Sequence, residues 1–107
     1  SNASTQTTTL SPTTLDFAAK IFDLARSGAT STLQQYLTAG ILPNLANSTG
    51  DTLLMLAAYH GHVATAKMLL DAGADPNALN ARGQSAVSGA VVKGWDEVVE
   101  VLVGAGA

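Results

Sequence analysis

Cysteine is absent from this chain, which rules out disulfides, thiol nucleophiles and thiolate metal sites and leaves the redox compartment open. Positive charge is scarce as well. Five Lys and Arg stand against eight Asp and Glu, a formal net charge of -3 at pH 7. The broad basic face that nucleic-acid binding needs is therefore excluded, leaving room only for a small local basic patch. No apolar run approaches the roughly 18 to 20 residues of a membrane-spanning helix. No secretory leader is visible. The expectation is a cytoplasmic soluble protein with neither nucleic acid nor membrane as partner. Charged residues make up only 12% and hydrophobic ones 47%, a composition that folds instead of staying disordered. At 107 residues one domain is expected.

What is present is concentrated between Gly50 and Asn77. Thr52 to Tyr59 is small and apolar, and Ala64 to Asp71 is amphipathic. His60, Gly61 and His62 separate them, and Ala72 to Pro76 follows. Glycine just past a helical run stops it, and a nearby proline reinforces the stop. The pattern predicts helix, tight turn, helix, extended turn. One such unit cannot bury its own apolar face and needs neighbours of the same build.

The rest of the chain supplies them. Ser1, Asn2 and Ala3 read as the scar of a cleaved expression tag, and residues 4–13 as a flexible Ser/Thr-rich tail. Ser11 and Pro12 suit the cap and first residue of a helix, with Thr13 and Asp16 a competing capping pattern. Leu15 to Ser27 is predicted helical. Leu15, Ala18, Ala19, Phe22 and Ala25 follow the 3.6-residue period, and Ile21 and Leu24 widen the stripe. Asp16 and Lys20 are placed to pair across one turn. After Gly28, Thr30 or Ser31 can cap a helix over Thr32 to Thr38 whose apolar face is Leu33, Tyr36 and Leu37. Residues 41–49 form a connector. Beyond Gly83, helices are predicted over Ser85 to Lys93 and Asp96 to Val103, with Asp96 as the second N-cap.

Matching residues recur every 33 positions: Gly28, Gly61 and Gly94; Gly40, Gly73 and Gly106; Gly50 and Gly83; Ala25, Ala58 and Leu37, Leu70. Independent matches in one register indicate a repeat architecture. Thr52, Leu53, Leu54, Met55, Ala57, Ala58, Gly61 and His62, followed by Leu69, Leu70, Gly73, Ala74, Asp75 and Asn77, carry a family likeness: the chain resembles the ankyrin repeat. The resemblance covers about residues 15–107 and is strongest in the middle unit. The family's T-P-L-H segment falls on Thr52 to Met55, on Ser85 to Ser88 and on Ala19 to Phe22, so its proline and histidine are missing throughout. The resemblance implies an all-α repeat solenoid of stacked helix-turn-helix units over residues 14–107, divided near 14–46, 47–79 and 80–107. Small residues at Ala25, Ala57, Ala58 and Ala90 let helices approach. Leu54, Leu69, Leu70, Val87, Val99 and Leu102 fill the space between units. Gly50 and Gly83 are expected at positive φ at the turn tips.

The ends differ. Lys20, Asp23, Arg26, Gln34 and Gln35 give the first unit a polar face, as a cap would have. The third unit is rich in valine, at 87, 91, 92, 98, 99, 101 and 103. Such an apolar end predicts a further unit or cap, or self-association.

Chemistry-bearing patterns are weak. His60 and His62 are two ligands where a closed zinc site needs four, and the glycine between them explains the pair structurally. Asp51 near His60 could pair as a base, but no convergent groups complete a site, and no phosphate loop, nucleophile elbow or paired-carboxylate pattern appears. Gly104 and Gly106 follow a helix, not a strand, so they are no dinucleotide loop. Asp75 to Asn77 reads as a loop tied down by its own side chains. Trp95 stands where His62 stands one unit earlier, and its placement predicts a cover over the helix junction or an anchor for a partner.

No catalytic residue, metal or cofactor is assigned. The resemblance implies a non-catalytic protein-protein interaction module, an adaptor or scaffold that binds a protein through its turn tips and concave face. Carried over position by position, that surface comprises Ser48, Thr49, Asp51, Tyr59 and His60 in the second unit. In the third it comprises Ala81, Arg82, Gln84, Val92 and Lys93, and in the first Arg26 and Ser27. Tyr59 and Arg82 lead by residue type. The alternative is a regulatory or accessory domain of an enzyme or complex whose catalysis resides elsewhere.

Overall fold

The computed structural model describes residues 12–107, with side chains from Asp16 onward. The tag scar, most of the Ser/Thr-rich tail, the Ser11 cap and the side chain of Leu15 lie outside the described residues. Six α-helices follow in pairs: α1 Pro12–Ser27 and α2 Thr30–Thr38, α3 Leu53–Tyr59 and α4 Val63–Asp71, α5 Ala86–Lys93 and α6 Asp96–Gly104. There is no strand among the described residues; a single antiparallel bridge joins Ala46 to Thr52. This is an all-α repeat solenoid.

Helices α2 to α6 have seven to nine residues each. Helices this short are marginal alone in water, so packing must hold them. The middle unit shows how. All of α3 except Tyr59 is buried, and it packs against α1, α4 and α5. A helix apolar nearly all round belongs inside. The helices form two rows, α1–α3–α5 and α2–α4–α6, each row in contact along its length. Ala25, Ala57, Ala58 and Ala90 are completely buried in the first row. Ile21, Leu33, Leu53, Leu54, Leu69 and Leu102 are fully buried as well, each contributing about 1.5–3 kcal/mol relative to exposure. Leu70, Val87 and Val99 are only partly buried against this core.

Several local expectations shift. Thr52 and Ser85 are N-caps, not first helical residues, and each hydroxyl accepts from the backbone three residues on, at 3.2 Å from Met55 N and 3.3 Å from Ser88 N. The third residue reciprocates. Thr52 N–H donates to Met55 Sδ at 3.4 Å, and Ser85 N–H donates to Ser88 Oγ at 3.0 Å. Sulfur and hydroxyl thus close the capping box where a Glu or Gln is more usual. Met55 and Ser88 occupy the position at which the expected histidine is missing.

Thr30, Ser31 and Asp96 do not cap. Thr30 and Asp96 are the first residues of their helices, and the preceding Ala29, His62 and Trp95 share one non-helical backbone shape with no side-chain cap bond. The glycine turn leaves just one residue before each second helix, and at 62 and 95 that residue's side chain is spent on the neighbouring unit. Thr30 Oγ1 instead meets Thr65 Oγ1 at 2.6 Å, between units. Asp96 and Glu97 remain in the first turn of α6, at its positive end. Thr13 lies inside α1. The ion pair among the described residues is Arg26 with Asp23 at 2.7 Å, not Asp16 with Lys20. The Lys20 ammonium sits 5.8 Å from the Tyr36 ring centre.

The ring of Trp95 covers Gly61, where an added Cβ would come within 2.8 Å of the indole. Gly94 has the same φ of +78°, yet nothing stands within 4 Å of its would-be Cβ. Gly94→Ala should therefore cost only the left-handed strain, about 1–2 kcal/mol. Gly61→Ala should cost more, because Trp95 must also move. Denaturant unfolding of the two variants measures the difference, and equal losses would mean that Trp95 is not packed there. In the first row, Ala57→Leu should overpack the contact and cost about 1–3 kcal/mol in the same assay.

Candidate functional site

The turn tips are built by asparagine. Asn47 Oδ1 accepts from Thr49 N at 3.1 Å and Asp51 N at 3.0 Å. Asn80, 33 residues on, repeats this with Arg82 N and Gln84 N, both at 2.9 Å. The tips are also joined. Ala81 N donates to Thr49 O at 3.0 Å, and Asn80 Nδ2 donates to Asp51 Oδ1 at 2.8 Å. Asp51 Oδ2 accepts from Thr49 Oγ1 at 3.0 Å, so both carboxylate oxygens are occupied. On the far side of each unit Asn44 and Asn77 reach forward to the carbonyls of Gly73 and Gly106, at 3.3 and 3.1 Å. Asp75 accepts from Asn77 N at 2.9 Å, which makes the Asp75 to Asn77 segment a self-tied loop.

Between the tips and the first-row helices lies a groove of about 660 Å³. Of the surface residues named from the sequence, it brings together Arg26, Asp51, Tyr59, His60, Arg82, Gln84 and Val92. Ser48, Thr49 and Lys93 do not line it. Ser48 is exposed outside it, and Thr49 is used up within the turn. Lys93 stands at the edge, its ammonium 5.2 Å from the Tyr59 ring centre, within cation–π range. The sequence reading missed the floor: Met55, Leu56, Asn80, Gly83, Ser85, Ser88 and Gly89. Gly89 takes the place that Leu56 has one unit earlier, and a Cβ there would touch Tyr59 at 3.4 Å. A glycine inside a helix costs about 1 kcal/mol against alanine. Here its missing side chain leaves the groove open beside Tyr59. The signal was available, since a leucine-to-glycine change at one repeat position marks a local loss of volume.

The two histidines divide their work. His62 Nε2–H donates to Arg26 O at 2.6 Å, and its ring covers Gly28. His60 is exposed, edge-on to Tyr59 at 5.4 Å and stacked on His62 at 6.3 Å. Among the described residues no group of three or more His, Asp or Glu is gathered to hold a metal. Trp95 Nε1–H donates to Tyr59 O at 2.8 Å. It covers the junction of the preceding unit, as His62 does one repeat earlier.

A family description, ankyrin repeats in three copies, matches residues 21–107. The chain belongs to the ankyrin-repeat family. It is 55% identical over 49 residues to the ankyrin repeat protein PA3287 of Pseudomonas aeruginosa, an overlap of 46% of this chain and 29% of that protein. The fold resembles the crystal structure of the human ASB11 ankyrin repeat domain, with TM-score 0.78 and 31% identity, over 81% of this chain and 39% of that one. The chain thus spans well under half the length of either relative. Ankyrin repeats are in general protein-protein interaction modules and typically non-catalytic. No helix among the described residues is long and apolar enough to cross a membrane.

Partial burial, then the charges of His62, Arg26 and Lys93, hold His60 below the usual histidine value of 6.5. Each neighbouring cation opposes protonation, so removing one should raise the value. Lys93→Ala should move the His60 titration upward, toward 6.5, when followed by NMR. A native His60 that titrates at or above 6.5 would contradict this crowding of positive charge.

Proposed function

We propose that this chain is a non-catalytic binding module that holds a segment of a protein partner in the groove between its turn tips and α3–α5. The observation that carries the reading is one concave surface joining a half-exposed Tyr59 to Arg82 and to Val92, which is 80% exposed. Tyrosine and arginine are the residue types that dominate binding energy, and an open apolar side chain beside them supplies desolvated contact. Contact residues in this reading are Arg26, Asp51, Tyr59, His60, Arg82, Gln84 and Val92, with Lys93, Ser48 and Thr49 at the rim. Work in the cytoplasm as an adaptor or scaffold is consistent with it. So is service as the accessory part of a larger enzyme or complex. Tyr59→Ala combined with Arg82→Ala should lower capture of a native partner about tenfold or more and leave thermal melting in place. Undiminished capture by the double variant rejects this face.

A second reading has its own observation. Val91 is 61% exposed, whereas Ala58, its counterpart one unit earlier, is completely buried under α5. The α5–α6 side therefore presents a stacking surface with no unit on it among the described residues. Self-association through that surface would cover it. Sedimentation at two concentrations decides: a monomer at the higher one removes this reading.

A further inference from the structure

The groove runs against the charge of the whole molecule. Eight acidic residues outnumber five basic ones in the chain. In the groove the balance reverses. Arg26 and Arg82 line it and Lys93 stands over the Tyr59 ring, while Asp51 is the one acid among its lining residues. Asp51 already accepts one hydrogen bond on each oxygen, from Asn80 and Thr49. Arg26 pairs with Asp23, but that pair is exposed on both sides, so it is weak and exchangeable. None of the remaining acids lines the groove.

The hydrogen-bonding groups are biased the same way. Three acceptors of the groove are spent inside the protein: Asn80 Oδ1 on two backbone N–H groups, Gln84 Oε1 on Asn80 Nδ2, and Ser88 Oγ on Ser85 N. Beside the Tyr59 hydroxyl and the His60 ring, what is left to a ligand is donors, namely the guanidinium of Arg82, the Lys93 ammonium and the Gln84 side-chain amide, none of which donates to a protein group among the described residues. A surface of unspent donors and cations recognises carboxylates.

We infer that the occupant of the groove is an acidic segment of a protein partner, its Asp or Glu side chains received by Arg82 and Lys93 and an adjoining apolar side chain resting on Tyr59 and Val92. This rests on the groove being the binding surface. Nucleic acid fits worse. The groove and its edge offer only three cations, and the net negative charge of the chain would repel a long polyanion.

Selection from a random peptide library displayed on phage tests the inference. Peptides retained by the native chain should be enriched about two- to threefold in Asp and Glu and depleted in Lys and Arg, with an affinity that falls as salt is raised from about 20 to about 200 mM. Arg82→Glu with Lys93→Glu should turn the enrichment toward basic peptides. Lys67→Glu, which reverses an exposed charge on α4 outside the groove, should not. Circular dichroism melts confirm that each variant is folded. Retained peptides with no charge bias, but lost with Tyr59→Ala, would overturn the acidic occupant while the groove stands. Acidic peptides that ignore both Tyr59→Ala and the charge reversal would overturn the groove as their site. No retained peptide at all, or displacement of the peptides by a mixed-sequence single-stranded DNA at equal concentration, would also overturn the inference.

Discussion

The close approach of α1, α3 and α5 is the constraint on which the rest of the molecule depends. Alanine makes it possible: Ala25, Ala57, Ala58 and Ala90 are wholly buried, so backbones meet where larger side chains would hold them apart. No single unit can satisfy this packing, because each helix pair exposes the face that its neighbour must cover. The short helices are stable only within the stack. Everything that projects from it, the turn tips and the groove wall, inherits its spacing from those alanine contacts.

Much of this was legible in the sequence, because the residues that set the stack recur in register. Gly28, Gly61 and Gly94 mark the turns, and the apolar positions between them match the buried ones. The third-unit valines were only half legible: Val98 is buried while Val91, Val92 and Val103 are exposed, since burial depends on which side carries a neighbour. Caps after the glycine turns were misread for a different reason. Thr30 and Asp96 are good capping types, and local propensity favours them. The tight turn puts the cap position one residue earlier, at Ala29 and Trp95, so geometry wins over residue preference. The reciprocal caps of Thr52 with Met55 and Ser85 with Ser88 were hidden because neither methionine nor serine announces itself as a replacement for a carboxylate or amide.

The surface proved harder to read than the stack. Side chains such as Tyr59, Arg82 and Gln84 could be placed on the concave side through the family likeness. The floor between them could not, because Leu56 and Gly89 share a repeat position but differ in volume. Asn47 reads only as a residue fit for a turn, and Asn80, in register with it, was passed over. Their role is to bind backbone N–H groups at both turn tips, and this holds the arginine and glutamine of the second tip at the groove edge.

Stack and groove meet in one repeated contact. His62 donates to the carbonyl of Arg26, and Trp95 donates to the carbonyl of Tyr59. Each donor belongs to one unit and each acceptor to the unit before it, 33 residues apart in both members of the pair. Arg26 and Tyr59 are also groove residues. The rings that seal one unit onto the next therefore fix the backbone from which these groove side chains project. A preorganised side chain loses less freedom when a partner arrives. The groove backbone is thus pinned at Arg26 and Tyr59 by the rings of the following units.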